Sequence, residues 1–227
     1  MESTAAGIRN KITASDGRFW RVSDFKGSPG AVEKAFSRLA SSGDVRRVRP
    51  GLYWRGRKTP LGMAPPAPED VVTEVVTSFG NTPAGVGPAG LSASAALGMT
   101  THIPKTSEIA VLGRPPHPPS GIDFVGRSAP ARREVRLNPL EVAVLEVLRD
   151  WPRLVDVPHV EAVNRISVLI SKGEIRPNRL ARGAQTEPAR VRERLRRLLT
   201  EVGHAKEGNR VPPARRLEVD SSYRLIS

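Results

Sequence analysis

"SPGAVEKAFSRLASSGDVRRVRPGLYWRGRK", residues 28–58, decides the fold of the N-terminal part of this chain. Ser28 offers an N-cap oxygen, Pro29 suits the first helical position, and Gly43 supplies a left-handed C-terminal residue, so the spacing predicts a helix between them. Val32, Phe36 and Leu39 fall at i, i+4 and i+7, which makes a buried stripe. Lys34, Ser37, Arg38 and Ser41 are then left facing outward. Two short strands follow about Pro50-Gly51, with Val48, Leu52 and Trp54 as candidate inward residues. Strict alternation fails between Val45 and Val48, so either a bulge intervenes or Val45 belongs to the helix end.

Working back toward the N-terminus, Ile8 and Ile12 stand one helical turn apart within residues 3–15, and Asp16-Gly17 suits a helix end. Next, "RFWRVSDF" gives Phe19, Trp20 and Val22 as a short extended piece. Ser23 then caps one helical turn through Asp24 and Phe25, which Lys26-Gly27 ends. Helical segments followed by a hairpin are the order of a winged helix-turn-helix. In such proteins the helix before the hairpin enters the major groove, where Arg bonds guanine edges and Ser or Lys contacts base or phosphate. The hairpin cations rest on the sugar-phosphate backbone. The candidate DNA-binding residues are therefore Ser28, Lys34, Ser37, Arg38, Arg46, Arg47, Arg49, Arg55, Arg57 and Lys58. The bland alternative is a solvated charged hairpin, which the recognition-type helix directly upstream argues against.

The charge distribution agrees. The 227 residues carry a formal net charge of +13, the sign that attracts phosphates. Residues 1–58 hold net +8, residues 59–173 net −1 and residues 174–216 net +7. A genome-wide arginine bias would have spread the charge evenly. With no cysteine there is no disulfide framework and no thiolate site. No run reaches the roughly 18 uncharged apolar residues that span a bilayer, and "MESTAAGIRNKI" lacks the apolar segment of a secretory signal. A cytoplasmic protein without membrane contact is expected.

Residues 59–68, within the Pro-rich "KTPLGMAPPAPED", read as a linker between a first domain at 1–58 and a second at 69–227. In the second, residues 69–79 predict a helix with Val71, Val72, Val75, Val76 and Phe79 on one side, and "GVGPAGLSASAALGM" a helix of small residues. "SEIAVLG", "GIDFVG" and "REVRL" read as strands. "NPLEVAVLEVLRDW" is a strong helix capped by Asn138, with Pro139 at its first position. Two more helices follow, at 158–172 and 186–203, the latter capped by Thr186. The expected class is α+β: an N-terminal winged helix-turn-helix, a small α+β domain and additional C-terminal helices. In the last helix Val191, Leu195, Leu198 and Val202 form one stripe among Arg190, Arg192, Arg194, Arg196 and Arg197. It reads first as a docked amphipathic helix, with a second nucleic-acid contact as the alternative; a membrane-surface role is disfavoured by its lack of Trp and Phe.

The pattern AxSRLxxxGxxRRxxxGLY, borne by Ala35, Ser37, Arg38, Leu39, Gly43, Arg46, Arg47, Gly51, Leu52 and Tyr53, resembles the N-terminal winged-helix domain of AbiEi-like antitoxins. These are regulators encoded beside nucleotidyltransferase toxins in bacterial abortive-infection (type IV toxin-antitoxin) operons. "GPAGLSASAALGMTTHIPKTSEIAVLG", residues 87–113, is similar to that family's downstream domain, and together the two matches cover about residues 5–150. The resemblance implies a repressor of its own operon that binds inverted-repeat operator DNA. It also implies a second domain that opposes the toxin, directly or functionally.

Enzymatic readings are weaker, and no cofactor or metal is expected. His102, His117, His159 and His204 fit no ligand spacing. A nuclease would look to Asp123 with Glu134-Val135-Arg136, yet Arg stands there in place of Lys and Glu134 has Arg132 and Arg133 beside it. "GVGPAG" lacks the Lys-Ser/Thr that a phosphate loop needs.

Overall fold

The computed structural model describes residues 4–78 and 82–214. The protein is of mixed α+β class and divides into two compact units, Met1–Asn81 and Thr82–Ser227.

In the first unit α1 (Thr4–Thr13) leads into strand β1 (Arg18–Arg21), a 3-10 turn (Val22–Asp24), α2 (Pro29–Ser41), and strands β2 (Arg46–Arg49) and β3 (Leu52–Arg55). The strands form an antiparallel sheet in the order β1-β3-β2. Ile8 and Ile12 of α1, Trp20 of β1, Val32, Phe36 and Leu39 of α2, and Tyr53 of β3 make one buried cluster. Phe36 is stacked on Tyr53 with ring centroids 4.5 Å apart. Burying such a ring contributes about 1.5–3 kcal/mol, enough to fix α2 on the sheet. The lost alternation has both of its proposed causes. Val45 is buried just after α2 with its N–H bonded to Leu39 O, and the β2–β3 register slips between Arg47 and Arg49. Ser28 occupies the N-cap, but its side chain makes no capping bond.

The chain after β3 is not the aperiodic linker expected at 59–68. Lys58–Thr59 (β4) pairs with Gly62–Met63 (β5) in a small hairpin, and Trp54 Nε1 donates to Ala64 O at 2.8 Å. That bond ties the Pro-rich segment back onto β3. Gly56 permits the approach, since a Cβ there would stand 2.3 Å from Ala64 O. The next helix, α3 (Pro68–Ser78), consequently falls in the first unit, where Glu74 meets Arg21 at 2.5 Å. Phe79, expected on its apolar side, lies outside the described residues.

The second unit opens on a three-stranded sheet of β6 (Gly87–Pro88), β7 (Ser107–Leu112) and β8 (Ile122–Arg127), with α4 (Gly90–Ala96) between its first two strands. β7 and β8 are parallel, so the chain must return the length of a strand between them. The nine residues Gly113–Gly121 do this with a proline-rich run, which at about 3.1 Å per residue when extended spans the roughly 17–20 Å needed. Gly113 and Gly121 turn the chain at its two ends with φ of +82° and +81°, conformations open chiefly to glycine.

Helices follow: α5 (Ala131–Glu134), α6 (Pro139–Val147), α7 (Trp151–Leu154), α8 (His159–Ser171), α9 (Pro177–Gly183), α10 (Ala189–Glu201) and α11 (Ala205–Gly208). α6 is buried from Glu141 to Val147, and Asn138 and Glu141 form its capping box. α10 lays Val191, Leu195, Leu198 and Leu199 into the same core. Two expectations are corrected. "REVRL" is not a strand: Arg133 and Glu134 end α5, and the segment turns at Arg136 with φ +50°. Thr186 does not cap α10, which starts at Ala189 after Pro188. Thr186 lies instead in a 3-10 turn, where its hydroxyl accepts from Ala131 N at 3.3 Å.

Candidate nucleic-acid interface

The two faces of α2 differ completely. Val32, Ala35, Phe36 and Leu39 are buried, while Lys34, Ser37 and Arg38 are exposed, as is Ser28 at its start. Lys34 and Arg38 lie one turn apart with Ser37 between them, so their side chains share one side of the helix. Arg46 and Arg47 on β2 are also exposed, as are Arg57 and Lys58 beyond β3. The first unit therefore presents an open helix face and a basic hairpin joined by four residues.

Not every cation of the hairpin is available. Arg55 turns inward: it is 7% exposed, donates from Nη1 to Asp44 O at 3.2 Å, and has Asp16 at 3.9 Å. It is withdrawn from the candidate contacts, because a guanidinium paired with a buried carbonyl leaves that carbonyl unsatisfied if it swings out. The alternation of β3 did not reveal this, since all four of its residues are buried. Lys58 is exposed but bound to Asp44 Oδ1 at 2.9 Å. That bond, then the one from Ser42, holds the Asp44 carboxyl below its ordinary range. Arg49 is half-buried, and burial followed by the charge of Arg21 lowers its pKa.

One residue that the sequence reading left out, Arg21, joins the candidate Arg49 at the site. Arg21 and Arg49 are both register partners of Leu52, one from each flanking strand. They project on one face of the sheet and border a cleft of about 480 Å³. The signal was available in "RFWR", whose alternation sets Arg21 opposite to Trp20. Asp44 was also missed as an internal partner for the basic hairpin.

The other candidates stand apart from this surface. Asp123 on β8 accepts from Thr106 at 2.8 Å, and Glu134 ends α5. His102, His159 and His204 pair with Asp156, Glu201 and Glu207 respectively. Among the described residues no group of three or more His, Asp or Glu side chains is placed to hold a metal ion, and no helix is long and apolar enough to cross a membrane. The second unit instead encloses charge. Glu146 bonds Arg127 and Arg132, Glu187 bonds Arg132 and Arg149, and both carboxylates are buried.

No protein-family model matches the sequence, and no curated protein matches it. Among solved structures, the RV2827C protein from Mycobacterium tuberculosis is similar, with a TM-score of 0.56 and 17% identity, covering 93% of this chain and 81% of that one. At that identity the likeness is one of fold alone.

Proposed function

We propose that this protein binds duplex DNA through its first unit, acting as a winged helix-turn-helix in which α2 is the recognition helix and the β2–β3 hairpin the wing. On this reading it is an AbiEi-like antitoxin that represses its own operon. The observation that carries the proposal is the unobstructed polar face of α2, Lys34, Ser37 and Arg38, followed at once by the exposed cations of β2. A helix held by a buried stripe on one side and left open with cations on the other is built to lie against a polyanion. Arg38 supplies base contact, for which its planar fork suits guanine, and Arg46, Arg47 and Arg57 supply phosphate contacts. The role of the second unit in opposing a nucleotidyltransferase toxin rests on the resemblance of residues 87–113.

The test is a binding titration of the full chain against a duplex carrying the region upstream of its own gene and against a scrambled duplex of the same length. Preference for the upstream duplex, relaxed by Arg38→Ala with little loss on the scrambled one, is expected. Equal affinity for both duplexes in the wild type would refute the operator assignment. Absence of salt-dependent binding to either would refute DNA binding.

A further inference from the structure

Arg21 and Arg49 flank Leu52 from the two outer strands of the sheet, about 10 Å apart at their backbones given two strand spacings. Between them the cleft of about 480 Å³ runs from the Pro50-Gly51 turn toward the start of α2, walled by Phe25, Pro29, Val32 and Leu52. Apolar walls lower the local dielectric, so charges lining them act more strongly than charges in open water. Two like charges facing one such cleft repel each other, and an anion between them removes that repulsion.

Arg21 retains donor capacity for such an anion. One Nη donates to Glu74, and its Nε is buried without a hydrogen-bond acceptor among the described residues. The Glu74 pair is partly exposed at both ends. It orients the guanidinium without contributing much energy of its own.

We infer that this cleft seats a phosphate group, gripped between Arg21 and Arg49 beside the wing tip. The inference rests on the DNA reading for its source: the phosphate is one of the duplex backbone, adjacent to those met by Arg46 and Arg47. A guanidinium fork matches two phosphate oxygens at once, and Arg21 is thereby a phosphate-binding residue in addition to those of the helix and hairpin.

The experiment compares wild type, Arg21→Gln, Arg21→Lys and Glu74→Gln, each shown to be folded by circular dichroism, for binding to a labelled duplex across a range of salt. Arg21→Gln is expected to bind about tenfold more weakly at low salt, with a salt slope shallower by about 0.9, the loss of one phosphate contact. Arg21→Lys keeps the charge, so it holds the slope while losing affinity. Glu74→Gln removes the acid that competes for Arg21, so its affinity stays or rises.

If Arg21 served only to pair with Glu74, the two Gln variants would fall together, and that outcome overturns the inference. An unchanged slope in a folded Arg21→Gln overturns the assignment of the cleft to a duplex phosphate, while leaving the DNA reading intact. A second arm titrates inorganic pyrophosphate into wild type and Arg21→Gln. Pyrophosphate binding that needs Arg21, beside duplex binding that does not, keeps the phosphate cleft and assigns it to a free phosphate compound. A wild type that binds no duplex refutes the DNA reading; the cleft then stands or falls on the pyrophosphate arm alone.

Discussion

Replacing Arg46 and Arg47 together by Gln removes the two β2 cations most open to solvent. Each phosphate contact contributes about 0.9 to the slope of log affinity against log salt, so the double variant should bind duplex with a slope shallower by about 1.8. Between 50 and 200 mM salt that difference compounds to roughly twelvefold: wild-type affinity falls by that factor more than the variant's over the same range. The matched control is Arg55→Gln. Arg55 is equally basic in sequence but bonds Asp44 O from the interior. Its removal should leave the slope alone and instead destabilise the first unit by about 2 kcal/mol, the worth of a hydrogen bond to a charged donor. In a unit of this size that is a fall in Tm of about 8–16 °C. Fluorescence anisotropy at several salt concentrations and thermal melting by circular dichroism measure the two effects on the same preparations. The reasoning is refuted if Arg46→Gln/Arg47→Gln keeps the wild-type slope, or if Arg55→Gln lowers it as strongly.

Three further outcomes are expected. Glu146→Gln should cost about 3–5 kcal/mol, read by urea unfolding, because it takes the counter-charge from Arg127 and leaves Arg132 and Arg149 sharing Glu187 alone; a loss below 1 kcal/mol would contradict the contacts at 2.6 Å to Arg127 and 2.8 Å to Arg132. Burial raises the Glu146 pKa, but the Arg127 hydrogen bond and the neighbouring arginine charges outweigh it and hold the carboxyl below its ordinary range. Its stabilisation is therefore present above the unfolded carboxylate pKa of about 4.3 and lost as pH falls through the lower folded value, so Glu146→Gln should flatten the acid limb of the stability curve. Asp44→Asn should release Lys58 toward the duplex, raising affinity and steepening the salt slope by up to about 0.9; weaker binding by a folded variant would argue that Asp44 positions the hairpin.

Elements governed by local signals were legible in the sequence. The boundaries of α2 follow from Pro29 and from Gly43, which takes φ +72°, and its buried face follows from the spacing of Val32, Phe36 and Leu39. Asn138 caps α6 as its sequence implies. Elements governed by distant partners were not. "REVRL" alternates like a strand, but Arg132 just before it is drawn inside by Glu187, 55 residues away, and no local pattern encodes that pair. The short α9 has no strong amphipathic run, and its place follows from packing of Leu180 and Ala181 in a core shared with residues of α4, β7, α6, α8 and α10. The fate of Arg55 was equally hidden, because it depends on Asp44 lying eleven residues back across a turn.

Charge sums along the sequence marked residues 1–58 and 174–216 as comparable basic ends, and the contacts separate them. In the second region Arg176 is committed to Glu141, Arg194 is buried against Leu148 O, Arg179 donates to Val135 O, and Arg196 donates to Val211 O. These groups still project positive potential, but turning one outward to a phosphate would abandon an acceptor inside the fold, at a cost of about 1–3 kcal/mol where that acceptor is buried. In the first region Arg55 is committed in that way, Lys58 is bound to Asp44 and Arg21 to Glu74, while Lys34, Arg38, Arg46, Arg47 and Arg57 are exposed. A polyanion gains most where cations can meet it without such a cost. On the proposed DNA reading, that contrast, invisible in the net charges of +8 and +7, favours α2 and the hairpin over α10, of whose five arginines only Arg190 is exposed.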